Sequence, residues 1–159
     1  MSDVEILRQH LVSLLNEGNA HATFDQAIEN LPAELRGRVP EGAPHSPWQL
    51  LEHLRLAQED ILDFSRNPEY QERKWPEDYW PKSPAPPSTA AWDESLKQIR
   101  ADREAFEAIL TEADTDGLIA PFPWGDSQTL LREELLVADH VAYHVGELIV
   151  IRRLLGCWK

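Results

Sequence analysis

The chain has 159 residues, a length that suits one hydrophobic core, and we expect residues 1–159 to form a single domain. Apolar residues make up 42% and charged residues 27%, a composition that argues against disorder throughout. The formal net charge of −13 argues against nucleic acid or an anionic membrane surface as a partner, because such a protein repels phosphate groups. No apolar run approaches the roughly 20 residues that cross a bilayer, and the N-terminal segment lacks the pattern of a secretory signal. A single cysteine excludes an intrachain disulfide, so we predict a cytoplasmic protein.

The first predicted helix begins at the N-terminal end of the chain. Ser2 and Glu5 form a capping-box pattern, and the leucines that follow recur at helical spacing as far as Gly18. The next segment, residues 20–44, has no sustained period. We expect it to be irregular, apart from one or two helical turns around residues 24–31.

The second predicted helix has the clearest start of all. The sequence SPWQ at residues 46–49 combines an N-cap serine, a proline at the first helical position and a glutamine that completes a capping box. The apolar stripe then continues until an Asn-Pro pair ends it. Residues 68–88 hold six of the twelve prolines together with Trp75, Tyr79 and Trp80. This composition predicts an ordered, aromatic-pinned loop, long enough to connect two helices that run in parallel.

Two further helices complete the predicted elements. The third begins at residue 88 or 89 and runs to about residue 111, and the last runs from about residue 129 to residue 155. Residues 114–127 between them are predicted to form a second loop. No segment shows the alternation of a β-strand. The sequence therefore predicts an all-α bundle of four amphipathic helices with long loops and at least one crossover connection.

Three histidines lie on predicted buried stripes. The string DHVAYHVGELIVIRR places His140 and His144 one turn apart on the last helix, so their imidazoles can converge on one ion. His53 lies on the apolar stripe of the second helix. Three histidines from two packed helices would hold a divalent metal ion and leave coordination positions open. The alternative is that they are hydrogen-bonded core residues, because an HxxxH pair also arises by chance.

Other metal motifs are absent from the sequence. The glutamate of a zinc-protease HExxH helix is missing, and no pair of Glu-x-x-His repeats indicates a di-iron site. The remaining histidines, His10, His21 and His45, lie outside the pattern of apolar stripes.

The sequence assigns no catalytic residue, but some side chains could support the site. Glu147 follows His144 by three residues and could hydrogen-bond a ligand histidine or a metal-bound water, or equally be a helix-surface carboxylate that pairs with an arginine. Asp60 lies two turns beyond His53 and could make the same hydrogen bonds, although we expect it to be a helix-surface carboxylate that pairs with an arginine. Tyr143 could flank the pocket.

Aromatic residues of the loops are expected to form the wall of an open metal site, and the sequence does not show which of them do so. Three tryptophans near helix ends or in loops are predicted to cap the core instead: Trp48, Trp80 and Trp124.

The segments PHSPWQLLEHLRLAQEDILDF and DHVAYHVGELIVIRRLLG resemble the DinB-like (DinB/YfiT) superfamily, as does the intervening NPEYQERKWPEDYWP. The resemblance spans most of the chain. It implies a four-helix bundle of up-down-down-up type with a three-histidine metal site, one ligand from the second helix and an HxxxH pair from the last. These positions correspond to His53, His140 and His144. The resemblance also implies a frequent homodimer.

A site of this kind favours two enzymatic mechanisms. Neutral imidazoles leave the ion, zinc or nickel, a strong Lewis acid that can activate a water for hydrolysis or bind a substrate thiol as thiolate. The resemblance implies the same pair, because some members of the superfamily transfer low-molecular-weight thiols such as bacillithiol or mycothiol and others are hydrolases. We therefore predict a metal-dependent S-transferase or hydrolase of small molecules. The alternatives are a non-catalytic protein that binds a metal or small ligand, and a structural metal in a bundle that acts through a protein partner.

Overall fold

Helices form all the regular structure of residues 2–158, the part of the chain that the computed structural model describes. In chain order these are α1 (Asp3–Asn16), α2 (Phe24–Ile28), a 3-10 helix (Ala33–Leu35), α3 (Pro47–Arg66), α4 (Thr89–Glu112), α5 (Thr115–Ile119) and α6 (Leu130–Leu154). Within this range β-structure is limited to one isolated antiparallel bridge between Pro121 and Thr129. The all-α prediction is confirmed. None of the described helices is long and apolar enough to cross a membrane.

Side-chain caps set the helix starts. The side chain of each N-cap residue accepts a hydrogen bond from the backbone N–H three residues on, which satisfies a donor that the helix leaves free. The N-cap residues of α1 to α6 are Ser2, Thr23, Ser46, Ser88, Asp114 and Thr129. The first three also form complete capping boxes. The predicted starts of the four long helices are therefore confirmed.

The four long helices pack side by side. Helix α3 contacts both α4 and α6, and α1 contacts the same two helices. Buried side chains form one cluster that includes Trp48, Trp92, Val145 and Leu148, and a second that includes Leu62, Phe106, Leu118 and Leu130. This packing places α3 directly against α6, the two helices that carry the histidines. The up-down-down-up order of helix directions stays a prediction.

One predicted loop is partly wrong. Residues 114–127 contain α5, whose N-cap Asp114 accepts a hydrogen bond from the backbone N–H of Gly117. Leu118 of this helix is fully buried, and the helix packs against α6. A five-residue helix spans less than two turns, so its sequence carries no recognisable period. The short helix predicted within residues 24–31 is confirmed as α2.

The segment between α3 and α4, residues 67–88, is called here the proline-rich loop. Several side-chain contacts fix it to α3. The Ser46 hydroxyl donates to the carbonyl of Pro84, and the Arg73 guanidinium donates to the carbonyl of Leu56 over 3.0 Å. These contacts bear out the prediction of an ordered loop. The phenol of Tyr79, which donates to Asp60 over 2.6 Å, pins it to α3 as predicted, although Trp75 is 66% exposed. The loop thus lies along the helix that carries His53.

Candidate metal centre

Helices α3 and α6 bring three imidazole rings together. His53 and His144 are buried, and His140 is half-buried. Nε2 of His140 lies 3.0 Å from Nε2 of His53 and 3.1 Å from Nε2 of His144. Two nitrogens bound to one tetrahedral zinc ion are expected to lie about 3.3 Å apart. One ligand nitrogen of each ring lies within 4.8 Å of the other two, so the structure unites the histidines that the sequence predicted.

The second ring nitrogens of His53 and His144 have fixed partners. Nδ1 of His53 donates to the backbone carbonyl of Tyr79 over 2.9 Å, and Nδ1 of His144 donates to a carboxylate oxygen of Glu147 over 2.6 Å. A carbonyl or carboxylate can only accept, so in the neutral rings both protons lie on Nδ1 and both Nε2 atoms carry lone pairs. The prediction that Glu147 reaches a ligand histidine agrees with this contact.

This arrangement leaves a surplus of lone pairs at the centre. Nε2 of His140 faces the Nε2 lone pairs of both His53 and His144. His140 can hold at most one proton on that nitrogen, so it can satisfy only one of its two neighbours. A cation placed among the three nitrogens would accept all three lone pairs. The donor set therefore fits a divalent metal ion.

Burial keeps the three rings neutral. It lowers the pKa of His140 and of His144 to about 4, and mutual repulsion between the rings adds to the effect. The pKa of His53 is also lowered, again chiefly by burial. At neutral pH the rings are thus uncharged, each with one nitrogen that carries a lone pair, and this is the form in which imidazole binds a metal.

Aromatic side chains surround the cluster. Trp80 stacks on His53 with ring centroids 3.9 Å apart and planes within 4°, and the same indole stacks on His45 at 4.1 Å. Tyr143, which is 64% exposed, lies edge-on against His144 at 4.9 Å and flanks the site as predicted. Trp80 also packs against the hydrophobic core as predicted, and its contact with His53 is an additional role that was not predicted.

Of the other two tryptophans, Trp48 fits its prediction as a core cap, whereas Trp124 is half-buried and stacks on Phe122 of the loop before α6. Trp48 is buried in the core, and the indole N–H of Trp124 donates to the carbonyl of Phe64 over 2.8 Å.

Asp60 differs in part from its prediction. Its Oδ1 lies 3.4 Å from Nε of Arg73, so the expected pairing with an arginine is present. However, Asp60 is only 8% exposed, and the phenols of Tyr70 and Tyr79 donate to it over 3.0 and 2.6 Å. It is a buried carboxylate, because the proline-rich loop covers this face of α3.

The sequence did not predict that three particular groups lie near the cluster. They are the indole of Trp80, the imidazole of His45 and the backbone carbonyl of Tyr79. The indole and the carbonyl belong to the proline-rich loop, and His45 lies just before α3. A backbone carbonyl occurs at every residue, so no residue type could have indicated its role.

Comparison with known proteins agrees with this geometry. A family model described as the DinB superfamily matches residues 19–148, a segment that includes all three histidines and Glu147. Searches of curated proteins and of solved structures gave no match. The family match covers most of the chain. The protein belongs to the DinB superfamily.

Proposed function

We propose that this protein binds one divalent metal ion, zinc or nickel, through His53, His140 and His144, and uses it in a reaction of a small molecule. The proposed reaction is transfer of a low-molecular-weight thiol or hydrolysis. One observation carries the proposal. Hydrogen bonds from Nδ1 leave the Nε2 atoms of His53 and His144 with lone pairs. These two Nε2 atoms lie 3.0 and 3.1 Å from Nε2 of His140.

The chemistry of the donor set supports both metals and a reactive role. Imidazole nitrogen suits zinc and nickel, and three protein ligands are typical of catalytic sites, whereas structural zinc sites have four. When bound, the ion supplies Lewis-acid activation of a thiol or a water. Among residues 2–158, no fourth His, Cys, Asp or Glu belongs to the cluster.

The chain's own residues orient the ligands and shield them. The carboxylate of Glu147 holds the Nδ1 proton of His144, and the carbonyl of Tyr79 holds that of His53. Trp80 covers one face of the His53 ring and excludes water from it. These contacts fix the tautomers in advance, so little reorganisation is needed when a metal binds.

Known activities in the superfamily support an enzymatic role, since its members include thiol transferases and hydrolases. A second candidate function is a non-catalytic protein that binds a metal or small ligand at the same site. The homodimer that the resemblance implies and the cytoplasmic location stay predictions.

The test of the metal site is elemental analysis of untagged protein. We expect the wild type to hold about one equivalent of zinc or nickel per chain, and His140→Ala to hold almost none, because two imidazoles cannot replace three. The matched control is His10→Ala, which removes an exposed histidine of α1. A wild type that takes up neither metal when offered excess would contradict the proposal, as would a His140→Ala variant with full occupancy.

Turnover separates the two candidate functions. The metal-loaded wild type would be assayed with thiols plus electrophilic acceptors, and with small esters and amides. Catalysis that disappears in His140→Ala supports the enzyme. Metal-dependent binding of these molecules without turnover supports the non-catalytic alternative.

A further inference from the structure

Tyr79 joins the candidate ligand His53 to the buried carboxylate of Asp60. Its backbone carbonyl accepts from Nδ1 of His53 over 2.9 Å, while its phenol donates to Oδ2 of Asp60 over 2.6 Å. His53 and Asp60 are seven residues apart on α3, a rise of about 10 Å along the helix axis. One loop residue therefore bridges two turns of α3 and is held at both ends.

The carbonyl of Tyr79 depends on such contacts for its position. Tyr79 lies in the proline-rich loop, outside any helix, and its own N–H makes a turn contact with the carbonyl of Pro76 over 3.1 Å. No regular hydrogen-bond ladder fixes the backbone at this point, as one does within a helix. Anchoring the phenol is thus a direct way to fix the carbonyl.

Asp60 is well suited to be the anchor. It is 8% exposed, and its other oxygen accepts from the phenol of Tyr70 over 3.0 Å. The guanidinium of Arg73 lies 3.4 Å away and also donates to the carbonyl of Leu56, so it ties the same loop to the same face of α3. Two donors and a cation offset the desolvation of the buried carboxylate.

The phenol of Tyr79 stays a donor over the whole physiological pH range. Burial raises the pKa of Tyr79 above its usual value, and the negative Asp60 raises it further. The hydrogen bond therefore has one direction only, from the tyrosine to the carboxylate.

We propose that Asp60 and the phenol of Tyr79 are positioning residues of the metal centre. By fixing the Tyr79 carbonyl, they hold His53 as the Nδ1-protonated tautomer, with the lone pair of Nε2 directed at the other two histidines. The effect on metal affinity rests on the proposed function. The effect on the His53 tautomer does not, because it is a property of the metal-free protein.

The first test is nitrogen-15 NMR of the metal-free protein, which distinguishes the two imidazole tautomers. Tyr79→Phe removes only the phenol oxygen and keeps the carbonyl. Tyr70→Phe is the matched control, since Tyr70 also donates to Asp60 but its carbonyl does not contact His53. We expect His53 to be Nδ1-protonated in the wild type and in Tyr70→Phe, and to be a mixture of tautomers in Tyr79→Phe. An unchanged His53 spectrum in Tyr79→Phe would overturn the inference.

The second test measures the zinc Kd by competition with a chelator. We expect Tyr79→Phe and Asp60→Asn each to raise the Kd about tenfold, the lower end of what loss of a partner of a ligand histidine costs. Tyr70→Phe should change it less than about threefold, while thermal unfolding of the metal-free variants checks that each is folded. Asp60→Asn keeps the shape of the side chain and gives an answer should Tyr79→Phe fail to fold.

The outcomes separate this inference from the proposed function. If the wild type binds no metal, the proposed function fails, and the tautomer measurement alone decides the role of Tyr79. If the wild type binds zinc and Tyr79→Phe and Asp60→Asn bind it equally well, the positioning role is overturned and the metal site stands.

Discussion

Helix α6 buries polar side chains in two opposite ways. In its middle, His144 has a hydrogen-bond partner on Nδ1 and faces His140 with Nε2. Near its start, Glu134 is 0% exposed, and neither carboxylate oxygen has a hydrogen-bond partner among residues 2–158. Buried polar groups arranged around one point indicate a binding site, whereas burial of a group with no partner costs stability.

Burial shifts the pKa values of the histidines and of Glu134 in opposite directions for one reason. It disfavours the charged form, so it lowers the pKa of His140 and His144 to about 4 and raises the pKa of Glu134 to about 7. For the histidines the favoured neutral form is the one that binds a metal. For Glu134 the favoured form is the protonated acid. At neutral pH part of this carboxyl population is nevertheless deprotonated and carries a buried charge.

The largest effect that tests this comparison is expected from Glu134→Gln. The carboxyl pKa is higher in the folded protein, about 7, than its ordinary 4.5. The folded state therefore binds more protons between these values, and stability falls as pH rises from about 4.5 to about 7. A shift of this size corresponds to about 3 kcal/mol. Between about pH 5 and pH 8, urea unfolding should show the wild type losing most of this free energy of unfolding relative to Glu134→Gln.

The control for this experiment is Glu104→Gln, at an exposed position of α4. It should follow the wild type at both pH values. If the free energy of unfolding changed equally with pH in the wild type and in Glu134→Gln, the buried carboxylate would have a hydrogen-bond partner in solution. The contrast between the two regions of α6 would then be lost.

A smaller effect is expected from Glu147→Gln, which tests the partnered region. The amide keeps the size of the side chain but is a weaker acceptor for the Nδ1–H of His144. In the wild type this hydrogen bond spans 2.6 Å. We expect zinc affinity to fall about tenfold, or about 1.4 kcal/mol. Titration of metal-free protein against a competing chelator would measure it.

Asp139→Asn provides the matched control, because Asp139 is an exposed acid beside His140 on the same helix. It should change the zinc affinity less than about threefold. Equal losses in Asp139→Asn and Glu147→Gln would show that only overall charge matters, and that the hydrogen bond to His144 does not.

The smallest effect is expected from pH on metal affinity. Because the pKa values of His140 and His144 are about 4, both rings stay more than nine-tenths neutral at about pH 5.5. These two ligands should therefore cost little zinc affinity between about pH 7.5 and pH 5.5, and the affinity should fall steeply as pH approaches 4. The pKa of His53 is lowered in the same direction by burial. A steep loss near pH 6.5, the ordinary histidine value, would show that the rings are not held neutral by burial.

The helical part of the site could be predicted from sequence, whereas the loop part could not. The one-turn spacing of His140 and His144 and the apolar stripe of His53 follow from the helical period, which depends on nearby residues only. The stacking of Trp80 and the burial of Asp60 depend on the path of the proline-rich loop. A loop has no period, so its path follows from tertiary contacts that a single sequence does not display.

The wide separation of the histidines in sequence has a consequence for unfolding. His53 and His140 are 87 residues apart, yet their Nε2 atoms lie 3.0 Å from each other. An ion held by both would act as a reversible cross-link that closes this long segment of chain. Like a disulfide, it would reduce the conformational entropy of the unfolded chain for as long as its ligands stayed attached. Helices α3 and α6 could then separate only after a histidine had dissociated from the ion. The supply of the ion would therefore govern how long each molecule stays folded.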